Sequence, residues 1–354
     1  MWLFPEADYA KIFSKKGIAV QKIALISLGV FVISLILQYL TLYFSHRYHL
    51  FMDSPSSNKP QGFHSDETPR SGGVGIAIAL LFFLPTPLGW KLLLSLFLAF
   101  LSGIFEDFNS SIRPTTRLFL QFIAASSAVF LIHSVVTYFG FGITVPYLIG
   151  AIISTTAIIG MMNAINFIDG FNGLASGIVL LMLLAFSIVA YRVGNSDVVY
   201  IAAVIFAALF AFFLFNFPKG KIFLGDGGAY LLGASVAVIG IFLGGAYDLV
   251  SPWFVLAVLI YPVWEVLFSI YRKLSAGKSP LRPDSLHLHM LIYRHITHNN
   301  PLTSLFIIAG VAPFILIPVF YANVSYANFL TTAIFILCYQ LLYRWLSMKE
   351  ASTR

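Results

Sequence analysis

AIISTTAIIGMMNAINFIDGFNGLASGIVLLMLLAF, residues 151–186, is the stretch on which the fold turns. An apolar run leads in, a knot of Asn163, Asn166, Asp169 and Asn172 interrupts it, and a second apolar run leads out. Each run approaches the roughly 20 residues that a helix needs to cross about 30 Å of hydrocarbon. The stretch therefore reads as helix, polar turn, helix, with the turn at a membrane surface. Working outward, eleven spans are predicted, at 20–44, 72–88, 90–105, 117–137, 146–166, 174–192, 197–217, 227–246, 251–272, 302–321 and 327–346. The second and third are short and meet at Pro85, Pro87 and Gly89. The fifth runs straight into the polar knot, so its inner end is expected to be broken. Unwound backbone there is tolerable only where it lines protein or water.

Composition supports this reading. The chain has 354 residues, 59% of them hydrophobic and only 10% charged, against about 45–50% apolar in soluble domains. Length alone would suggest two or three soluble domains, but so apolar a chain must face lipid. The expected fold is all-α: one polytopic membrane helix bundle over residues 1–354. The alternating ten-residue segments of an outer-membrane barrel are absent. An odd number of spans puts the termini on opposite sides. With the 45–71 loop inside, fifteen of the 21 Lys and Arg residues fall inside and six outside, which sets the N-terminus outside and the C-terminus in the cytoplasm. The exceptions Lys11, Lys15 and Lys16 suit an amphipathic surface helix at 5–16. Topology thus accounts for the net charge of +7, and no basic–aromatic surface points to nucleic acid. The one cysteine, Cys338, cannot form an internal disulfide. No cleavable signal peptide is read at the N-terminus.

This topology gathers the scarce polar chemistry on one face, in loops 45–71, 105–117, 163–174, 218–228 and 273–301. Glu106 and Asp107 end the third span, where two carboxylates oppose the helix dipole and call for a nearby cation. In NAINFIDGFNGL (163–174), Asn166 and Asp169 stand three apart on one face. Amide and carboxylate oxygens suit Mg²⁺, or hydrogen bonds to a base and sugar. FLGDGG (223–228) sets Asp226 as an N-cap among glycines, and Gly225, Gly227 and Gly228 permit a backbone nest for phosphate. In RPDSLHLH (282–289), His287 and His289 lack the spacing of a helical zinc pair. With Arg282, Arg294, His295 and His298 they read as an anion clamp. HSDETPRSGG (64–73) brings His64 and Arg70 to the mouth of the second span, where a guanidinium suits phosphate. Glu265, inside the ninth span, is expected to face the protein interior. His133, mid-span in the fourth helix, is expected as a satisfied interior residue or an interfacial filler.

In this order, the motifs resemble the polyprenyl-phosphate N-acetylhexosamine-1-phosphate transferases (glycosyltransferase family 4). The resemblance covers about residues 45–300, and NAINFIDGFNGL and FLGDGG are its most specific parts. It implies transfer of N-acetylhexosamine 1-phosphate from a UDP-sugar to polyprenyl phosphate, with release of UMP, as the first step of a cell-envelope glycan such as O-antigen. It implies Mg²⁺, or Mn²⁺ in its place, at Asp226 and Asn166. It also implies catalytic roles for Asp107, Glu106, Asp226, His287 and His289. Substrate contacts would fall to Asp169, Asn172, Asn163, Arg70, His64, Arg282 and Gly227. The expected setting is the bacterial cytoplasmic membrane, with the site facing the cytoplasm and a homodimer as an allowed assembly. Glu106 departs from the family's Asp-Asp pair. His-Leu-His replaces the three histidines of the muramoyl-pentapeptide branch, and Asn172 stands where that branch has an acid. These departures favour a plain UDP-N-acetylglucosamine donor. A secondary transporter is the rival reading, but it would place its polar groups near the midplane with inverted repeats. A CDP-alcohol phosphotransferase would need an aspartate cluster that is missing here.

Overall fold

The computed structural model of the protein describes residues 6–53, 67–108, 113–246, 249–279 and 284–353, with the backbone alone over 6–20, 246 and 352–353. It is a polytopic all-α membrane bundle. The helices are α1 (Glu6–Tyr48), α2 (Gly72–Ala79, continued as a 3₁₀ turn to Phe83), α3 (Gly89–Phe108), α4 (Pro114–Ile132), α5 (Tyr147–Ile168), α6 (Leu174–Arg192), α7 (Ser196–Asn216), α8 (Gly225–Ala246), α9 (Pro252–Ser275), α10 (Leu288–Ile292), α11 (Asn300–Leu316) and α12 (Ser325–Thr353). Among the described residues, nine helices are long and apolar enough to cross a membrane, and Gly72–Phe83 is a shorter apolar helix. Each of the eleven expected spans is found as a helix. Among the described residues, α10 and the helical turn that follows it (Tyr293–Thr297), in the loop after α9, are additional.

α8 is the centre of the bundle. Of its most apolar stretch 89% is buried, against 17% for the peripheral α1. α8 packs against α2, α3, α5, α6 and α9. The reason is size rather than hydrophobicity, because lipid is as apolar as any side chain and small residues let backbones approach. At Gly103 of α3, a Cβ would come within 2.4 Å of the Asp226 carbonyl carbon. That contact seats the end of α3 directly on the start of α8. α6 and α7 pair with each other, α7 also packs on α1, and α12 lies against α9.

Three expectations change. α1 runs unbroken from Glu6, so residues 6–16 continue the first helix rather than forming a separate surface helix. α5 also continues as regular helix through the polar knot to Ile168. Its Asn163 amide donates to Ile159 O and to Gln121 Oε1, each at 2.8 Å, and Asn166 donates to Asp226 Oδ1 at 2.9 Å, so these amides are met without a break. His133 is an exposed C-cap of α4 in the left-handed conformation (φ 56°), so it lies at the helix end rather than mid-span.

The loop after α1 forms a two-residue antiparallel pair, β1 (Met52–Asp53) with β2 (Thr68–Pro69). The chain beyond β2 lies beside the approach to α8. Phe223 N–H donates to Pro69 O at 2.8 Å, and the Gly72 and Gly73 N–H groups donate to Phe223 O and Leu224 O, each at 3.0 Å. These bonds bring Arg70 to the mouth of α8.

Candidate active site

The site is built around the first turn of α8. Asp226 N–H donates to Asp107 Oδ1 at 2.8 Å, and Gly227 N–H donates to Asp107 Oδ2 at 2.9 Å. A carboxylate at the electronegative end of α3 is thus satisfied by the electropositive start of α8. This corrects two expectations. Asp107 is the acid that caps α8, while Asp226 sits in the first turn. The nest expected for a phosphate at Gly227 is filled by the protein's own carboxylate. Gly225 makes this fit, at φ 76°, where a Cβ would lie 2.6 Å from both Arg70 O and Asp107 Oδ2.

With the helix end capped by its neighbour, Asp226 is free to reach outward. Its Oδ1 accepts from Asn166 Nδ2 at 2.9 Å. Its Oδ2 lies 3.3 Å from Arg117 Nη1 and 3.4 Å from the Tyr230 hydroxyl. The carboxylate keeps 18% of its surface open. Arg70 donates to Asp53 Oδ2 at 2.8 Å, and its charge also acts on Asp107, Asp169 and Asp226. Asp169 follows the last turn of α5. Burial, and then the charge of Asp226, push its carboxyl up to about 7 against the opposing pull of Arg70.

The other sequence candidates divide. Asn163 donates to Gln121 Oε1 at 2.8 Å, one turn of α5 deeper than Asn166. The Asn172 amide donates to Pro218 O at 3.0 Å, stapling the α5–α6 turn to the turn after α7, while its N–H takes Asn300 Oδ1 at 2.8 Å. Glu106 is half-buried, and its Oε2 has no hydrogen-bond partner. His64 and Arg282 lie outside the described residues.

His287 and His289 form a second cluster on the far side of the α5–α6 turn. Their rings stack in parallel, 5.4 Å apart. His287 meets the edge of Phe167 at 5.2 Å, and His289 meets Phe171 at 5.6 Å. Burial pushes the His289 imidazole down to about 4, with the charge of Glu265 opposing and that of His287 adding. His289 is therefore neutral near pH 7, with one ring donor and one acceptor. Among the described residues, two members of the basic clamp expected around it point elsewhere. Arg294 and His295 both turn to Glu350 of α12, at 2.6 and 2.8 Å. A carboxylate distant in sequence has taken two groups that were expected to hold an anion.

Arg117, the nearby cation that the acids of the 105–117 loop called for, meets Asp226, whereas other participants escaped the sequence reading. Gln121, four residues after Arg117 on α4, meets Asn163. Asp226 and Tyr230 repeat that spacing on α8. The i,i+4 pairing on otherwise apolar faces was the available signal. Asn216, which accepts from Gly173 N–H at 2.6 Å and donates to Ile222 O at 2.8 Å, left no such signal.

Among the described residues, no group of three or more His, Cys, Asp or Glu side chains could hold a metal unaided. The Asp226–Asn166 pair nevertheless fits Mg²⁺, which favours hard oxygen donors and takes one or two carboxylates with water and substrate phosphate completing its shell. A cavity of about 560 Å³ runs between α5, α8 and α9. It is lined almost wholly by apolar side chains, among them Phe139, Trp253, Met161, Val263 and Leu267. Ala164, two residues before Asn166 on α5, is also in its wall.

Residues 90–244 match the sequence profile of glycosyl transferase family 4. The resemblance read from the motifs thus holds over the family 4 segment, which contains every residue of the acidic cluster except Arg70 and its partner Asp53. The chain is 34% identical over 197 residues to a decaprenyl-phosphate N-acetylglucosaminephosphotransferase of Mycolicibacterium smegmatis, covering 49% of this chain and 48% of that protein. It is 33% identical over 196 residues to a phospho-N-acetylmuramoyl-pentapeptide-transferase of Streptococcus agalactiae, covering 53% of this chain and 58% of that one. The chain therefore matches about half the length of these relatives. The histidine cluster lies beyond the family 4 segment.

Proposed function

We propose that this protein transfers N-acetylglucosamine 1-phosphate from UDP-N-acetylglucosamine to a polyprenyl phosphate, at the cytoplasmic face of a bacterial inner membrane. One observation carries the reading: the acid–amide–guanidinium cluster of Asp226, Asn166 and Arg117 gathers at one end of α5 and α8, and the apolar cavity lined by those same helices reaches Ala164, two residues from Asn166. A water-soluble diphosphate and a lipid phosphate would meet at that junction.

In the reaction, an oxygen of the lipid phosphate attacks the sugar-bearing phosphorus. The bond to the bridging oxygen breaks, UMP leaves with the electron pair, and a polyprenyl-diphosphate sugar remains in the membrane. Such chemistry depends on positioning and charge neutralisation. Asp226 and Asn166 would hold Mg²⁺, which when bound neutralises diphosphate charge. Arg117 and Arg70 supply fixed positive charge around the acids. Asp107 holds the start of α8, and so Asp226, in place. Asp169 stands beside the nucleotide and His289 beside the diphosphate-sugar. The apolar cavity takes the first isoprene units and keeps water from the attacking oxygen.

Purified protein with radiolabelled UDP-N-acetylglucosamine, polyprenyl phosphate and Mg²⁺ tests this reading, with label expected in the lipid. Parallel arms with UDP-N-acetylgalactosamine and UDP-muramoyl-pentapeptide identify the donor. No label in lipid from any of them would overturn the reading.

A further inference from the structure

Glu265 is an acid inside a membrane-spanning helix, only 1% exposed. A carboxylate in such a place is costly unless partners on all sides receive it. Here three groups from two other elements do so. Oε1 accepts both Leu288 N–H at 3.0 Å and the His287 ring at Nδ1, 3.1 Å away. Oε2 accepts the Tyr339 hydroxyl of α12 at 2.8 Å. One oxygen thus fixes both the first residue of α10 and the ring of the residue before it. His287 is held from its other side as well, with Nε2 3.6 Å from Asp284, which Arg272 grips at 2.9 Å.

What this arrangement delivers is the pose of His289. The His287 ring is its stacking floor. The His289 ring is buried, and neither of its nitrogens has a hydrogen-bond partner. Nε2 lies 3.8 Å from the point where a Cβ on Gly170 would stand, beside Asp169. Two unpartnered ring nitrogens in a buried side chain are an unmet demand for a ligand. Glycine at 170 leaves the space open.

We infer that Glu265 is a positioning residue: with Tyr339 it locks His287, and through the stacked pair it aims His289 across Gly170 at the diphosphate-sugar. The inference rests on the transferase reading and extends it to an acid and a phenol outside the motif loops. A mere packing role would lower the melting temperature of Glu265→Gln and leave kcat near wild type, whereas action through His287 lowers kcat and makes the losses of the two substitutions non-additive.

The test compares Glu265→Gln, His287→Asn, the double variant and Tyr339→Phe, each with full kinetics and a thermal transition in detergent. Glu265→Gln keeps the shape and removes the charge. Its kcat should fall about 50-fold while KM for the UDP-sugar stays within threefold. The double variant should be no slower than His287→Asn alone, within twofold. Wild-type kcat in Glu265→Gln, or losses that multiply in the double variant, would overturn the inference. Should Glu265→Gln lose its folding transition, Tyr339→Phe carries the same test: about a fivefold loss of kcat supports the inference, and unchanged kcat overturns it. A wild-type protein that transfers nothing defeats the transferase reading and this inference with it. An active wild type with an unaffected Glu265→Gln defeats the inference alone.

Discussion

The two halves of the site are held in place by different means. The acidic half lies almost entirely within the family 4 segment and is held by backbone: two N–H groups of α8 close on Asp107, and Asp226 is carried on the same turn. The histidine half lies outside that segment and is held by side chains, through Tyr339, Glu265 and His287 to His289. Between them runs the α5–α6 turn, with Asn166 facing one half and Phe167 and Phe171 facing the other. A backbone-held carboxylate tolerates almost no substitution, because its partners are fixed to a helix. A side-chain relay can be loosened by degrees.

The contrast sets an order of expected effects. Asp226→Asn should be the most damaging, lowering turnover by about a thousandfold or more, with the thermal transition little changed because the carboxylate is partly open. A turnover near wild type would remove the acidic half from the site. Asp107→Asn should follow, with a loss of about a hundredfold and a clear fall in melting temperature. The amide would turn an NH₂ group toward a buried N–H, a mismatch worth about 1–3 kcal/mol. Lost turnover with unchanged melting would make Asp107 a chemical participant rather than a holder of α8. Asn172→Ala should cost about 1 kcal/mol of stability through its lost bond to Pro218, with KM for the UDP-sugar changed less than twofold. A tenfold rise in KM would place Asn172 against the nucleotide instead.

The smallest effect concerns pH. Asp169 has its carboxyl raised from 3.8 to about 7. A raised carboxyl stabilises the fold below its unfolded value, and that stability is lost as pH climbs through the folded one. Wild type should therefore lose stability relative to Asp169→Asn between pH 4 and 7, by on the order of 1 kcal/mol once solvent screening is allowed for. Melting curves of both proteins at pH 5 and pH 8 check this. A gap that does not widen at pH 8 would mean that Asp169 is not confined as described.

How much the chain disclosed beforehand follows the same division. Helices were legible because lipid leaves the backbone no alternative, so hydropathy alone marks them. The identity of the acids and amides was legible because so few polar residues occur in so apolar a chain. Their partners were not. Asp107 meets backbone 119 residues away, and Glu350 reaches Arg294 and His295 across 56 and 55 residues. A sequence reading supplied Arg294 and His295 as free anion-binding groups, and only packing shows the acid that takes them. Likewise, the small residues of α8 suggested a phosphate nest, but the same smallness lets α3 approach and fill it.

The most direct test of the account is the nucleotide that leaves. With UDP-N-acetylglucosamine and polyprenyl phosphate, transfer of a sugar phosphate must release UMP, one per lipid product, and Asp226→Asn must abolish that release. Quantifying UMP and UDP by chromatography against lipid product decides the matter. Stoichiometric, lipid-dependent UMP is the predicted result. UDP in its place, or nucleotide release indifferent to the lipid phosphate, would contradict the account.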